Sequence, residues 1–331
     1  MALIARRRFV LSGLAALASS AALAACAPAA PATPTPAPKP IEPTKPPAPA
    51  PTTAAAPAAT PQPTTGSQTR LSLALVPSEN AQEQTRQWGD FFKWLEKRLD
   101  VRIENFVATD YTAVIEAMRA SHIEAAWFGP FSYILAAQEA SADAIAVPAN
   151  AAGGKTYHSY FIARSDAGID KLEDMKGKNF SFGDPASTSG HLIPRYNLKK
   201  AGIDPEKDFK SLVFSGGHDA TGLAVFNQKV DAGAIWDGAY HRLAEKKLID
   251  EAKMKIVSKS DPIPEGPWAA RKDMEAGLRK RFADAMQAVG SEAPELLKAG
   301  GYAKFVPVAD ADYDLIRETA RALNLDIKKL K

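Results

Sequence analysis

The sequence predicts an α/β protein in which two α/β lobes, joined by two crossover strands, face each other around a cleft. Three observations predict it. From about Thr69 onward short apolar runs alternate with helix-patterned segments, which is the rhythm of parallel sheet with right-handed crossovers. That rhythm pauses at Ala151-Ala152-Gly153-Gly154 and then repeats. The preceding residues belong to neither lobe: residues 1–26 read as an address, and Ala27 to about Gln68 cannot bury a core. One large doubly wound domain is the simpler alternative.

The amino end reads as an address. Arg6, Arg7 and Arg8 form a basic start, Phe9 to Leu23 an apolar small-residue run, and Leu23-Ala24-Ala25-Cys26 a cleavage region. The run has no polar face for a packed helix and is short for a membrane span, which is signal-peptide logic. Leu-Ala-Ala-Cys resembles a bacterial lipobox, whose cysteine is acylated and becomes the new first residue. Arg6 to Leu11 also resembles a twin-arginine signal. Fourteen of the 25 prolines then fall between Pro28 and Pro63. Alternating prolines favour an extended polyproline helix, and some forty residues at ~3.1 Å each reach on the order of 130 Å. A tether is expected there, rather than a proline-rich ligand for a signalling domain. The expected layout is signal peptide 1–25, lipidated Cys26 with tether 26–69, and a binding body 70–331.

Composition excludes several classes. The 331 residues are 46% hydrophobic and 24% charged, with one cysteine, so collagen, coiled coil and an internal disulfide framework are ruled out. The net charge of +3 belongs to the amino end, since residues 70–331 hold 36 basic and 37 acidic residues. A nucleic-acid partner loses its electrostatic support.

Element by element, Leu71–Val76 is a buried strand, and Gln82–Leu99 a helix with Trp88, Phe91, Phe92, Leu95 and Leu99 on one face. Val101–Val107 and Glu124–Phe128 follow as strands, Thr112–Arg119 and Phe131–Gln138 as helices. Ala144–Val147 and Tyr157–Ala163 are read as the crossover strands. The second lobe, approximately 165–255, repeats the pattern with strands Asn179–Phe182, Ser211–Phe214 and Ala232–Trp236. Its helices are one that starts near His191, because of Pro194, and reaches Lys199, then Thr221–Phe226 and Ala239–Lys246. Lys255–Ser258 is a return strand, and Met274–Val289 and Asp312–Leu323 close the first lobe, approximately 70–148 plus the C-terminal segment.

In open α/β sheets ligands bind beyond the carboxyl ends of strands, where helix starts present free amides. Four such junctions are chemically loaded: Asn105–Asp110 leading into Tyr111, Trp127–Tyr133 with Ser132, Gly183–His191, and Ser215–Asp219. Ser187, Thr188 and Ser189 exceed what capping needs, and hydroxyls with helix-start amides make a neutral oxyanion cradle. The other reading of that run is a cap-rich turn. His218 follows two glycines and is expected to donate a charge-assisted hydrogen bond worth ~1.5–3 kcal/mol to an anion, although a His before an Asp, taken alone, is more often a capped turn. Tyr111 and Tyr157 are placed to close over a ligand, although lone aromatics are usually core. Asp237 and Glu265 would bind an amine or a protonated phosphorus oxygen, with Asp219 a further acidic neighbour; singly, such carboxylates are more often solvent-exposed. No Lys or Arg lies in Ser187–Ser189 or Ser215–Asp219, so neutral dipoles and His218 are expected to carry recognition.

Together the stretches ATDYTAVIEAMRA (108–120), AAWFGPFSYILA (125–136), YHSYFIAR (157–164), FGDPASTSGHLIPR (182–195) and FSGGHDA (214–220) resemble the phosphonate-binding PhnD-type periplasmic substrate-binding proteins of ABC importers. The resemblance implies a type II periplasmic-binding-protein fold that grips a phosphonate between its lobes. It implies Tyr111, Tyr157, Ser187, Thr188, Ser189 and His218 as contacts, with Asp237 and Glu265 matching acidic positions loosely. It implies an ABC permease as partner, no cofactor and no metal, and a location outside the cytoplasm. Phosphite or another small oxyanion is the alternative ligand, and a membrane sensor the alternative partner. A Ser/His/Asp hydrolase is the rival class, but no Gly-x-Ser-x-Gly, His-Glu-x-x-His, Walker loop or Cys/His metal spacing occurs.

Overall fold

The computed structural model describes residues 69–325, so the signal, Cys26 and almost all of the proline-rich stretch lie outside the described residues. The chain opens with β1 (Arg70–Leu75), whose odd residues Leu71, Leu73 and Leu75 pack into one hydrophobic cluster while Ala74 joins another on the opposite face. Next comes α1 (Ala81–Leu99), started by Asn80, whose side chain accepts the Glu83 N–H at 3.0 Å. It buries the five-residue aromatic and leucine stripe that its 3.6-residue spacing requires. The elements β2 (Arg102–Phe106), α2 (Tyr111–Arg119), β3 (Ala125–Trp127), α3 (Pro130–Glu139) and β4 (Ala142–Ala149) complete the first pass through lobe one.

The chain then crosses through β5 (Thr156–Tyr157) into the second lobe. That lobe comprises β6 (Ser159–Arg164), β7 (Asn179–Phe182), α4 (Ile193–Lys200), α5 (Pro205–Asp208), β8 (Ser211–Phe214), α6 (His218–Phe226), β9 (Ala232–Trp236), α7 (Asp237–Glu245) and β10 (Met254–Lys259). It returns through β11 (Ile263–Pro264) to β12 (Trp268–Arg271), α8 (Ala276–Glu292), β13 (Lys304–Pro307) and α9 (Asp314–Ala322). Lobe one is a six-stranded sheet in the order β13-β4-β12-β3-β1-β2, and lobe two a five-stranded sheet in the order β10-β6-β9-β7-β8. Each sheet is covered on both faces, and four apolar clusters, two per lobe, make up the core.

The differences from expectation follow from the two crossings. Ala144–Val147 and Tyr157–Ala163 are not the crossover strands. They lie mainly in β4 and β6, one in each lobe's sheet, and the crossing is made by β5 paired antiparallel with β11 (Ile263 opposite Tyr157). Lys255–Ser258 likewise does not return to lobe one but pairs antiparallel with β6. The sheets are therefore mixed: β1 pairs β2 and β3 in parallel, whereas β12 runs antiparallel to both β3 and β4. β12 and β13 are absent from the sequence reading, since strands of four residues, one after a proline-rich turn and one after a glycine pair, carry no period.

Between β11 and β12, Gly266 lies against the backbone of the Phe128–Gly129 turn, and its carbonyl accepts the Trp127 indole N–H at 2.9 Å. A Cβ there would overlap the Phe128 carbonyl oxygen. Backbone cannot yield as a side chain can, so Gly266→Ala is expected to cost about 1–3 kcal/mol of stability. Denaturant titration checks it, and an unchanged midpoint would show that the crossing tolerates a methyl group.

Candidate functional site

The two lobes meet over a cavity of about 120 Å³, lined by residues from β-strand ends, helix starts and both crossings. That is several times the ~10–15 Å³ of such space that one water needs, so a small oxyanion with a short substituent can enter.

Helix starts build the cradle. Pro194 has no N–H for the Gly190 carbonyl, so that carbonyl accepts the Gly183 N–H at 2.8 Å instead. The chain from Thr188 to Leu192 takes up a π-helical turn, in which the Leu192 N–H reaches the Ser187 carbonyl at 3.0 Å. The helical path thus begins earlier than the expected start near His191. Ser187 caps it by accepting the Gly190 N–H at 3.0 Å, and Thr188 and Ser189 form its first turn rather than a loop. All three are 2% exposed and line the cavity. Gly190 is required because a Cβ would meet the Gly183 backbone and the His218 ring at 3.2 Å.

Tyrosines complete this surface. The Tyr111 hydroxyl, from the start of α2, faces Ser187, and the Tyr157 hydroxyl, from β5, faces Ser189 and Thr188. Burial pushes both phenols above their ordinary range, with Asp184 reinforcing it at Tyr111 and Glu265 at Tyr157. Both therefore remain O–H donors. His218 is held neutral, because burial and then the Arg242 guanidinium push it down to about 3. A bond from this neutral ring to an anion would remain charge-assisted, through the ionised acceptor. The Trp236 N–H donates to His218 Nδ1 at 3.3 Å, which leaves the ring proton on Nε2. That atom is a neutral donor and cannot accept a proton from a serine, as a hydrolytic base must.

The lobes are closed on one another across this cavity. The Tyr111 N–H donates to Asp184 Oδ2 at 3.3 Å, and the Phe131 N–H to Thr188 Oγ1 at 2.8 Å. The His218 N–H donates to the Ser78 carbonyl at 2.8 Å, and the Asn80 N–H to Asp219 Oδ2 at 2.8 Å. Burial pushes Asp184 up to about 6 despite its two N–H donors, Tyr111 and Ala186.

Of the sequence candidates, Tyr111, Tyr157, Ser187, Thr188, Ser189, His218 and Glu265 line the cavity, while Asp237, Asp219 and Ser132 do not. Ser132 is buried and donates to the Gly129 carbonyl at 3.1 Å, and Asp219 serves the lobe contact. Asp237 starts α7, accepts the Gly238 N–H at 3.0 Å, and acts on the cavity through its field on Glu265 and Tyr157. Missing from the sequence reading are Glu79, Arg242 and an aromatic wall in which Trp127 lies 4.9 Å from Trp88 and 5.7 Å from Tyr302, ring centre to ring centre. Arg242 brings a guanidinium into the lining from outside the two stretches that the sequence shows to lack Lys and Arg. The strand-end rule applied to the first junction, Pro77–Asn80, points to Glu79. Among the described residues no group of three His, Cys, Asp or Glu side chains is arranged to hold a metal, and no helix is long and apolar enough to cross a membrane.

Glu265 keeps some surface at the cavity, but its carboxyl is enclosed with Asp237 as its charged neighbour. Burial, then Asp237, pushes it from 4.5 to about 8. The folded state thus holds a proton that the unfolded chain releases, and stability falls as pH rises from about 4.5 to about 8. Without ligand, Glu265→Gln should gain on the wild type across that window in thermal unfolding. A pH-independent difference would show that Glu265 is ionised.

A family model described as "ABC transporter, phosphonate, periplasmic substrate-binding protein" matches residues 73–313. The phosphate-import protein PhnD of Mycolicibacterium smegmatis is 34% identical over 285 residues, covering 78% of this chain and 87% of that protein. The phosphonates-binding periplasmic protein of Escherichia coli is 30% identical over 256 residues, covering 76% and 75%. Among solved structures, PhnD1 of Prochlorococcus marinus in complex with methylphosphonate aligns with TM-score 0.71 at 25% identity, over 77% of this chain and 98% of that one. With cradle, cleft and matched length in agreement, the chain belongs to the family of periplasmic substrate-binding proteins of phosphonate ABC transporters.

Proposed function

We propose that this protein captures a phosphonate, a phosphorus oxyanion carrying a carbon substituent, in the cavity between its lobes and presents it to an ABC permease. One observation carries the reading: the hydroxyls of Tyr111, Tyr157, Ser187, Thr188 and Ser189 share one small cavity with the His218 N–H and an aromatic wall. The hydroxyls and first-turn amides suit the P–O groups, and Trp88, Trp127 and Tyr302 suit the carbon side. Thr188 accepts the Phe131 N–H, so its own proton is left to donate to the ligand. Glu265, protonated without ligand, serves as acceptor for an ammonium or a P–OH, with Asp237 strengthening it from behind. Closure excludes water, and each of these bonds gains from the lower dielectric. Phosphite and phosphate are the smaller alternatives, and they leave the aromatic wall unfilled.

Calorimetry with methylphosphonate, 2-aminoethylphosphonate, phosphite, phosphate and methanesulfonate tests this reading. At ~1.5–3 kcal/mol per bond to a charged group, Ser187→Ala with Thr188→Ala is expected to weaken methylphosphonate binding about 100-fold or more while the thermal unfolding profile is kept. Millimolar binding of every phosphorus oxyanion by the wild type would overturn the reading, and an unchanged affinity in the double variant would remove both residues from the site.

The same proposal extends to the amino end. Residues 1–25 direct export, Cys26 carries the lipid, and residues 26–69 tether the binding body to the membrane. The lipobox-like Leu23-Ala24-Ala25-Cys26 and the proline-rich composition support it. Cys26→Ala is expected to shift the protein from the membrane fraction to the soluble fraction of fractionated cells. Retention on the membrane would argue against a lipid anchor at that cysteine.

A further inference from the structure

Glu79 of the first junction and Glu83 of α1 are fastened to Arg242 of α7 and to Lys246 just past its end by two ion pairs, one turn apart on each side. Glu83 and Lys246 make the outer pair at 2.9 Å, with side chains 37% and 43% exposed. Glu79 and Arg242 make the inner pair, with side chains 12% and 18% exposed, and only this pair lines the cavity. Arg242 stacks on Trp236 with its guanidinium carbon 4.9 Å from the ring centre, and its field reaches His218 in the cradle. The Glu79 charge is felt by both Tyr111 and Tyr302, on different parts of the cavity wall. The Trp236 indole N–H faces Glu79 without reaching hydrogen-bond geometry, and Arg242 Nε likewise has no partner. A guanidinium thus stands beside an anion cradle and is cancelled by a carboxylate that reaches over from the other lobe.

A bare guanidinium at that place would hold any oxyanion, ionised sulfonates included. A carboxylate on the wall reverses the preference, because it repels an anion that has no proton to offer and accepts a hydrogen bond from one that has. A phosphonate monoanion carries a P–OH; a sulfonate of the same shape carries none. We propose that Glu79 is a specificity-determining residue that mutes Arg242 and so makes the closed cleft reject fully ionised oxyanions in favour of ligands bearing a proton. The inference rests on the phosphonate reading above and adds which group enforces the choice.

The test is calorimetry of the full chain with the isosteric pair methylphosphonate and methanesulfonate, on wild type, Glu79→Gln and Glu83→Gln. Glu79→Gln leaves Arg242 uncancelled, and the affinity ratio of phosphonate to sulfonate is expected to fall about tenfold or more, chiefly by gain of sulfonate binding. Glu83→Gln breaks the outer pair without touching the cavity, and there the ratio should stay at the wild-type value. An unchanged ratio in Glu79→Gln, or the same change in both variants, would reduce Glu79 to a closure contact and overturn the proposal. If thermal unfolding shows that Glu79→Gln does not fold, the wild-type ratio decides, and equal affinities for the two ligands overturn it. Absence of any phosphonate binding by the wild type would instead overturn the phosphonate reading, and this inference with it.

Discussion

The N–H groups at a helix start have no acceptor within their own helix, and here the two lobes supply acceptors for each other's. Tyr111 N–H finds Asp184, Phe131 N–H finds Thr188, His218 N–H finds the Ser78 carbonyl, and Asn80 N–H finds Asp219. Each bond is worth about 0.5–1.5 kcal/mol net, so the set biases the hinge by a few kcal/mol. That is the scale on which a ligand with modest differential affinity can shift a population. The cradle, the small cavity and the excluded water all depend on this mutual capping. Opening the cleft would separate Thr188 from Phe131 and Tyr111 from Asp184 together.

Burial then decides the electrostatics. His218 is pushed down, Glu265 up and both cradle tyrosines up, each chiefly by loss of water. The wall consequently carries neutral donors, and the Arg242 guanidinium in its lining is tied to a carboxylate. On the proposed reading, such a site recognises by pattern rather than by net charge. A cationic site would be less selective, because every small anion is drawn to it.

Much of this was legible in the residues. The Trp88-Phe91-Phe92-Leu95-Leu99 stripe announces α1, and the run of three hydroxyls before Pro194 announces the cradle, because local spacing and capping chemistry determine both. What stayed hidden was non-local. The pairing of β5 with β11 joins residues a hundred positions apart, and β12 is too short to show a period. Arg242 reads as an ordinary surface residue of an amphipathic helix until the other lobe brings Glu79 against it. The sequence offers His218 as a donor without its charge state, which only its burial decides. Asp237 and Asp219 sit beside the right junctions, but one backs the site and the other fastens its rim.

The place of β12 in lobe one has a consequence for how the molecule comes into being. It lies between β3 and β4, so these two strands, though nearly consecutive in the chain, touch the same sheet only through a segment made after the whole second lobe. A chain emerging amino end first therefore leaves β4 without its neighbours until residues 268–271 and 304–307 arrive. Lobe two has no such debt, because all five of its strands lie within one continuous stretch. The lobe made in the middle is thus able to fold first, and the lobe whose strands are made both before and after it is the last to be finished.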